Sequence, residues 1–215
     1  MTSVSDISAR QTARQHRIIL AIVLLAWLVV VVIAGGRGVF EAGPARPPLP
    51  IFIAVALPPV LFALLYRASR HVREFALSLD LRLVTAMQAW RIGGTMFLVL
   101  YSFGMLPGLF AWPAGIGDVA VGLAAPFVLQ AMNVERRGWE RYLFWHNIAG
   151  LADFAGAIAT GVLSSNSAIG FFASAAPTVS MGLLPLSLIP TFAVPLWIIL
   201  HMISLIRLRR IRAGI

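Results

Sequence analysis

The chain has 215 residues, 60% of them hydrophobic and only 12% charged, with a mean hydropathy of +0.89, a balance that excludes a water-soluble domain and assigns the chain to lipid. All 17 basic residues are arginine and the net charge is +9, yet no basic stripe is interleaved with aromatics, which argues against a nucleic-acid partner. The lack of cysteine excludes disulfides, thiolate chemistry and iron–sulfur ligation.

Apolar runs of helix length recur along the whole sequence, predicting an all-α polytopic membrane bundle of about six transmembrane helices, with residues 1–215 as a single membrane domain. The first span is expected over 18–34. Arg10, Arg14 and Arg17 precede it as in a signal peptide, but the apolar run is longer than a usual signal core and reads as an uncleaved anchor. Gly35, Gly36 and Gly38 end this span, and Pro44, Pro47 and Pro48 predict an extended outer loop. The second span, 51–66, carries Pro58-Pro59 near its centre, where two residues without an N–H predict a bend.

Over 70–82 the pattern changes. Val72, Phe75, Ala76 and Leu79 recur at three and four, with Arg70, Arg73, Glu74 and Ser78 on other faces, which predicts an amphipathic helix on the cytoplasmic surface. The third span is expected over 83–104. Pro107 and Trp112-Pro113 bracket a short outer turn, with Pro113 placed as the first residue of the fourth helix and the span itself over 114–133. An inner loop over 135–140 leads to a fifth span, 142–163. The stretch 164–181 is too polar and broken to cross, and its Phe171-Phe172 suits a segment folded over the mouth of the bundle. The sixth span, 182–206, has Pro185, Pro190 and Pro195 at intervals of five, the last two releasing the carbonyls of Leu186 and Thr191; Arg207, Arg209, Arg210 and Arg212 should stop it. No repeat of 20 to 50 residues is present, and an inverted repeat fits the order of spans but not the polar residues.

Assigning loops alternately to two sides puts three arginines of the N-terminal tail, four from Arg67 to Arg82, three from Arg136 to Arg141 and four after Ile206 on one side. Only Arg37 and Arg46 fall on the other. This asymmetry places both termini in the cytoplasm, with anionic lipids of the inner leaflet as partners; short loops and the lack of lysine suggest a bacterial inner membrane. Oligomeric state is not legible.

Three ionisable side chains, Arg91, Asp118 and Asp153, fall inside apolar spans, where an ion costs about 2.5–3.5 kcal/mol on insertion scales. At about 1.5 Å per residue, Arg91 lies roughly 14 Å and Asp153 roughly 18 Å from the inner boundary, while Asp118 lies about 8 Å below the outer one, so all three can share a cluster. At about 100° per residue Gln88, Arg91, Thr95 and Ser102 form one polar stripe, and His146, Gly150, Asp153 and Thr160 form another. Small residues on the fourth and fifth spans, Gly117 and Ala120 against Ala149 and Gly156 among them, make these helices close neighbours. Asn147 and His201 complete the set of candidate ligand- or ion-pathway residues. One cation against two carboxylates leaves an excess negative charge that a proton or a cation would neutralise. This reads as a proton- or cation-linked transport site or a small-molecule pocket; alternatively, the ion pair only fixes helix packing in an accessory subunit.

His146 and His201 both lie at roughly 8 Å from the inner boundary, a depth at which two imidazoles can hold a b-type haem, though the second histidine pair of such cytochromes is missing. No His-x-x-x-His or His-Glu-x-x-His spacing exists, so no metal or other cofactor is expected. The sequence Gly115-Ile116-Gly117-Asp118 resembles the GxGD motif of intramembrane aspartyl proteases, which implies two membrane aspartates activating water. Here Asp118 precedes Asp153, the reverse of that family's order, and no Pro-Ala-Leu motif follows, so no catalytic residue is assigned. In layout, and in fragments such as Asn147-Ile148-Ala149-Gly150-Leu151-Ala152-Asp153, the chain resembles the small, arginine-rich, uncharacterised polytopic inner-membrane proteins of bacteria, a resemblance that implies no substrate.

Overall fold

The computed structural model describes residues 4–41, 43, 47–173 and 178–214. Pro44, Arg46 and residues 174–177 of the stretch 164–181 lie outside the described residues. Among the described residues every regular element is helical.

Helix α1, Val4–Gly36, extends well before the apolar run, because no glycine or proline interrupts the sequence between Met1 and Ala34. Helix α2, Leu49–Ala68, begins just after Pro48, carries Pro50 in its first turn, and stays helical through Pro58 and Pro59. Its C-terminal carbonyls are closed by the following helix: Arg73 donates from Nε to Tyr66 O at 3.3 Å and from Nη2 to Arg67 O at 2.9 Å. That helix, α3, spans Arg70–Ser78, capped by the Ser69 hydroxyl and carrying an exposed Arg70–Glu74 pair at 2.6 Å. It stops at Ser78, short of residue 82, because Asp80 caps the next helix, accepting from Arg82 N at 2.9 Å.

The third apolar segment, Leu81–Ser102, is one rod of three parts: α4 (Leu81–Met87), a 3₁₀ stretch (Gln88–Gly94) and α5 (Thr95–Ser102). Helix α6, Gly108–Asn133, starts earlier than expected; Pro107 is its N-cap and Pro113 lies inside it, not at its first turn. Helix α7, Trp139–Leu163, follows Gly138, whose φ of +81° reverses the chain. The last expected span, 182–206, is shifted. Residues 183–187 form turns, a π-helical stretch covers Ile189–Ala193, and α8 runs Val194–Ala213, so Arg207 to Arg212 continue the helix instead of ending it. Pro190 and Pro195 sit in the first turns of these two elements.

Among the described residues five helices are long and apolar enough to cross a membrane: Ile18–Gly36, Leu49–Ala68, Leu81–Ser102, Gly108–Asn133 and Ile189–Ala213. Helix α7 is long enough, but His146, Asn147 and Asp153 lower its apolarity. The six crossings read from sequence therefore reduce to five helices that qualify by length and composition.

Helix α6 is the hub, packed on α7, the 3₁₀ stretch and α5. Its facing residues are small. Ala111, Ala114 and Ala125 are buried, and a Cβ at Gly122 would meet the Ile92 backbone nitrogen at 2.6 Å. Phe97, Leu106, Phe110 and Met181 fill one end of the bundle, and Leu81, Val128, Met132, Leu143 and Leu208 the other. Helices α1 and α2 are peripheral and turn exposed Ile, Leu and Val outward; α1 is pinned by Trp27 against Phe192 of the π stretch, ring centroids 4.7 Å apart.

Candidate functional site

The 3₁₀ stretch places Gln88 and Arg91 one tight turn apart, so both point into the bundle, 1% and 4% exposed. Arg91 is the centre of the site. Its Nε donates to Asp118 Oδ1 of α6 at 2.7 Å, and its Nη2 donates to Asp153 Oδ2 of α7. Its Nη1 donates to the Gly150 carbonyl at 3.4 Å and faces His201 Nε2 of α8 at 3.2 Å. The guanidinium also lies over the Phe154 ring, 3.9 Å from its centroid. Four helical segments thus converge on one cation.

Glycines make the convergence sterically open. A Cβ at Gly117 would collide with the Asp153 carboxylate, one at Gly94 with Asp118, and one at Gly150 with the His201 ring and, at 2.8 Å, with Arg91 Nη1. Behind Arg91 the polar contacts continue along α7 and α8. His201 Nδ1 lies 2.8 Å from Asn147 Oδ1, and Asn147 Nδ2 donates to Leu143 O at 2.7 Å and to Ser204 Oγ at 2.9 Å.

Charge is not balanced: one guanidinium faces two carboxylates. The Asp118 and Asp153 side chains keep 16% and 10% of their surface, against 3% for Arg91, so the carboxylates are the more open members of the cluster. A cavity of about 120 Å³ touches both aspartates and reaches Ser165, Asn166 and Thr178 at the far end of α7. A second, of about 180 Å³, touches Arg91, Asp118, Trp90 and Trp197. Phe97, Asp118, Phe154, Ile189 and Val194 line both, so the two spaces are adjacent and Asp118 borders each of them. Part of the stretch 164–181 lies at this far end of the first, Thr178 Oγ1 donating to Gly161 O at 2.9 Å, while Phe171 and Phe172 are exposed.

The structure brings together Arg91, Asp118, Asp153, Asn147 and His201 from the residues singled out in the sequence. Asp118 reaches Arg91 because α6 starts at Gly108: ten residues from that start put it about 15 Å deep, not 8 Å. Gln88 and His146 are buried beside this set, but among the described residues neither the Gln88 amide nor His146 Nε2 has a hydrogen-bond partner. Thr95 is placed elsewhere. It is exposed and donates to Ile92 O at 2.6 Å, and Ser102 likewise turns back to Val99 O at 2.7 Å. The cause is the 3₁₀ stretch, where about 120° per residue replaces 100° and rotates everything after Gly94 out of the stripe.

Phe154 and Ser204 were missed. Phe154 follows Asp153 and lies four residues after Gly150, and Ser204 lies three after His201, so both were within reach of helical spacing. The histidine pair is close, ring centroids 6.3 Å apart, but both ring nitrogens of His201 face protein partners, so haem ligation there would break the contact to Arg91 or to Asn147. Among the described residues no group of three or more His, Asp or Glu is arranged to hold a metal.

Residues 48–209, the greater part of the chain and every residue of the site, match a family described as a domain of unknown function, DUF8737. No curated protein and no solved structure matches the chain.

Proposed function

We propose that this chain, which belongs to the DUF8737 family, is a proton- or cation-linked membrane transporter of small solutes, working through Arg91, Asp118 and Asp153. The observation that carries the reading is the excess negative charge of the cluster beside two cavities: Asp118 and Asp153 share the single cation Arg91, and Asp118, 2.7 Å from it, also lines both spaces. A proton or cation that neutralises the extra charge weakens the hold of Arg91 on one carboxylate, and so couples occupancy to the packing of α6, α7 and the 3₁₀ stretch. In this reading α7 is the sixth crossing, its polar residues sheltered by α6 and α8. Both termini are cytoplasmic, in a bacterial inner membrane, as the arginine distribution supports.

The test is charge movement in proteoliposomes adsorbed on a solid-supported membrane. A pH or alkali-cation jump should give a transient current that Asp118→Asn removes. Silence in the wild-type protein under both jumps overturns the proposal.

A second reading is favoured by the completeness of the Arg91 shell, in which Nε, Nη1, Nη2 and the π face of the guanidinium all have partners. Here the cluster fixes helix registry in an accessory membrane subunit. It predicts no current, and impaired assembly when all three charges are replaced together.

A further inference from the structure

We propose that the cavity beside Asp118 and Asp153 binds an amphipathic organic monocation, an ammonium head carrying an apolar body; this rests on the reading of the site as a ligand-linked charge centre. Its size sets the class first. A volume of about 120 Å³ is far above the roughly 10–15 Å³ that one water needs, so the space has room for an organic group.

Its lining sets the chemistry. Phe40, Phe52, Phe97, Phe110 and Phe154 are all at its surface, and the charged groups that border it are the two aspartates. Arg91 engages Asp118 through Oδ1 and Asp153 through Oδ2, and among the described residues no hydrogen bond reaches the other oxygen of either. A ligand cation there meets net negative charge beside aromatic side chains, the combination that attracts alkylammonium groups more than a strongly hydrated metal ion.

The far end is different. Ser165, Asn166 and Thr178 lie beyond the last turn of α7, about 15 Å along the helix from Asp153. The walls between the two ends are apolar, with Val55, Ile158 and Val194 among them. An anion is excluded by the carboxylates, and a fully hydrophilic solute by these walls. The fit is an elongated molecule with its charge at the aspartates and an apolar middle.

The probe is phenyltrimethylammonium, with tert-butylbenzene as its neutral carbon isostere, titrated calorimetrically into the full chain in nanodiscs. Saturable binding of the cation should exceed that of the isostere by about tenfold or more. Asp118→Asn should remove most of that preference. Phe97→Leu should weaken the cation by about two- to fivefold and leave the isostere unchanged, since it removes a π face while keeping an apolar side chain. Binding of the isostere as tight as that of the cation, or no saturable binding of the cation, overturns the inference even if neither variant folds. Charge movement without phenyltrimethylammonium binding overturns this inference alone; absence of both removes the transport reading with it.

Discussion

Arg91 Nη1 stands 3.2 Å from Nε2 of His201, and a guanidinium can only donate, so this contact makes Nε2 the acceptor and puts the imidazole proton on Nδ1. Asn147 Oδ1, 2.8 Å from Nδ1, is then the acceptor it requires, which leaves the Asn147 amide to donate to Leu143 O and Ser204 Oγ. One donor-only side chain on the 3₁₀ stretch thus sets the direction of hydrogen bonds reaching into α7 and α8.

The tautomer is directly observable. Nitrogen-15 spectra of histidine-labelled protein should show His201 protonated at Nδ1 with a pyridine-type Nε2. Asn147→Asp keeps the acceptor but loses both donated bonds, and should lower stability in detergent by about 1–3 kcal/mol. A His201 ring protonated on Nε2 would mean that the Arg91 contact is not made.

The charge cluster should behave as a triad, not a pair. Arg91→Met alone strands two carboxylates and should cost about 3–5 kcal/mol, whereas Asp153→Leu alone leaves Arg91 paired with Asp118 and should cost about 1–3 kcal/mol through the lost charged hydrogen bond. The Arg91→Met/Asp153→Leu double variant recovers only part of this, because Asp118 is still charged 2.7 Å from where Nε stood. Adding Asp118→Asn should recover most of the remainder. Thermal unfolding in detergent measures all four, and simple additivity of the single effects would show that the three side chains do not share an environment.

Glycines of α7 should separate cleanly by what a methyl group would meet. At Gly150 a Cβ collides with His201 and approaches Arg91 Nη1 to 2.8 Å, whereas at Gly156 nothing lies within 4 Å. Gly150→Ala is expected to cost about 1–3 kcal/mol through displacement of the cluster. Gly156→Ala should be neutral or stabilising by up to about 1 kcal/mol. Equal melting temperatures for the two variants would contradict the close approach at Gly150.

Thr95 offers the complementary control. Its hydroxyl is spent on Ile92 O and faces outward. Thr95→Val should leave phenyltrimethylammonium affinity and charge movement unchanged, with stability within about 0.5 kcal/mol. A large functional loss would restore the uninterrupted α-helical stripe in place of the 3₁₀ stretch.

The membrane character and the meeting of Arg91 with both aspartates were legible because buried charge is expensive in lipid and has few ways to be compensated. Helical depth was enough to bring Arg91 and Asp153 together. It misjudged Asp118, since Pro113 imitated a helix start that lies five residues earlier, at Gly108. It also misplaced Thr95, because apolar periodicity assumes a constant 100° per residue and Gly93-Gly94 gives no visible warning that the turn tightens. The order of hydrogen bonds from Arg91 through His201 to Asn147 depends on side-chain orientation, which spacing alone does not carry. The count of qualifying helices differs from six at α7, where the polar residues that meet Arg91 and His201, Asp153 and Asn147, are among those that lower its apolarity.

The 3₁₀ stretch has one more consequence, for the rod Leu81–Ser102 as a whole. Seven residues at about 2.0 Å and 120° each, in place of 1.5 Å and 100°, lengthen the rod by about 3.5 Å and turn one end against the other by about 140°. The two windings of Gln88–Gly94 are therefore related by a screw, a translation and a rotation tied together with Arg91 on the thread. Asp118 and Asp153 hold Arg91 in the middle of that stretch, so the cluster is anchored where the rod departs from the α-helical winding of its two ends.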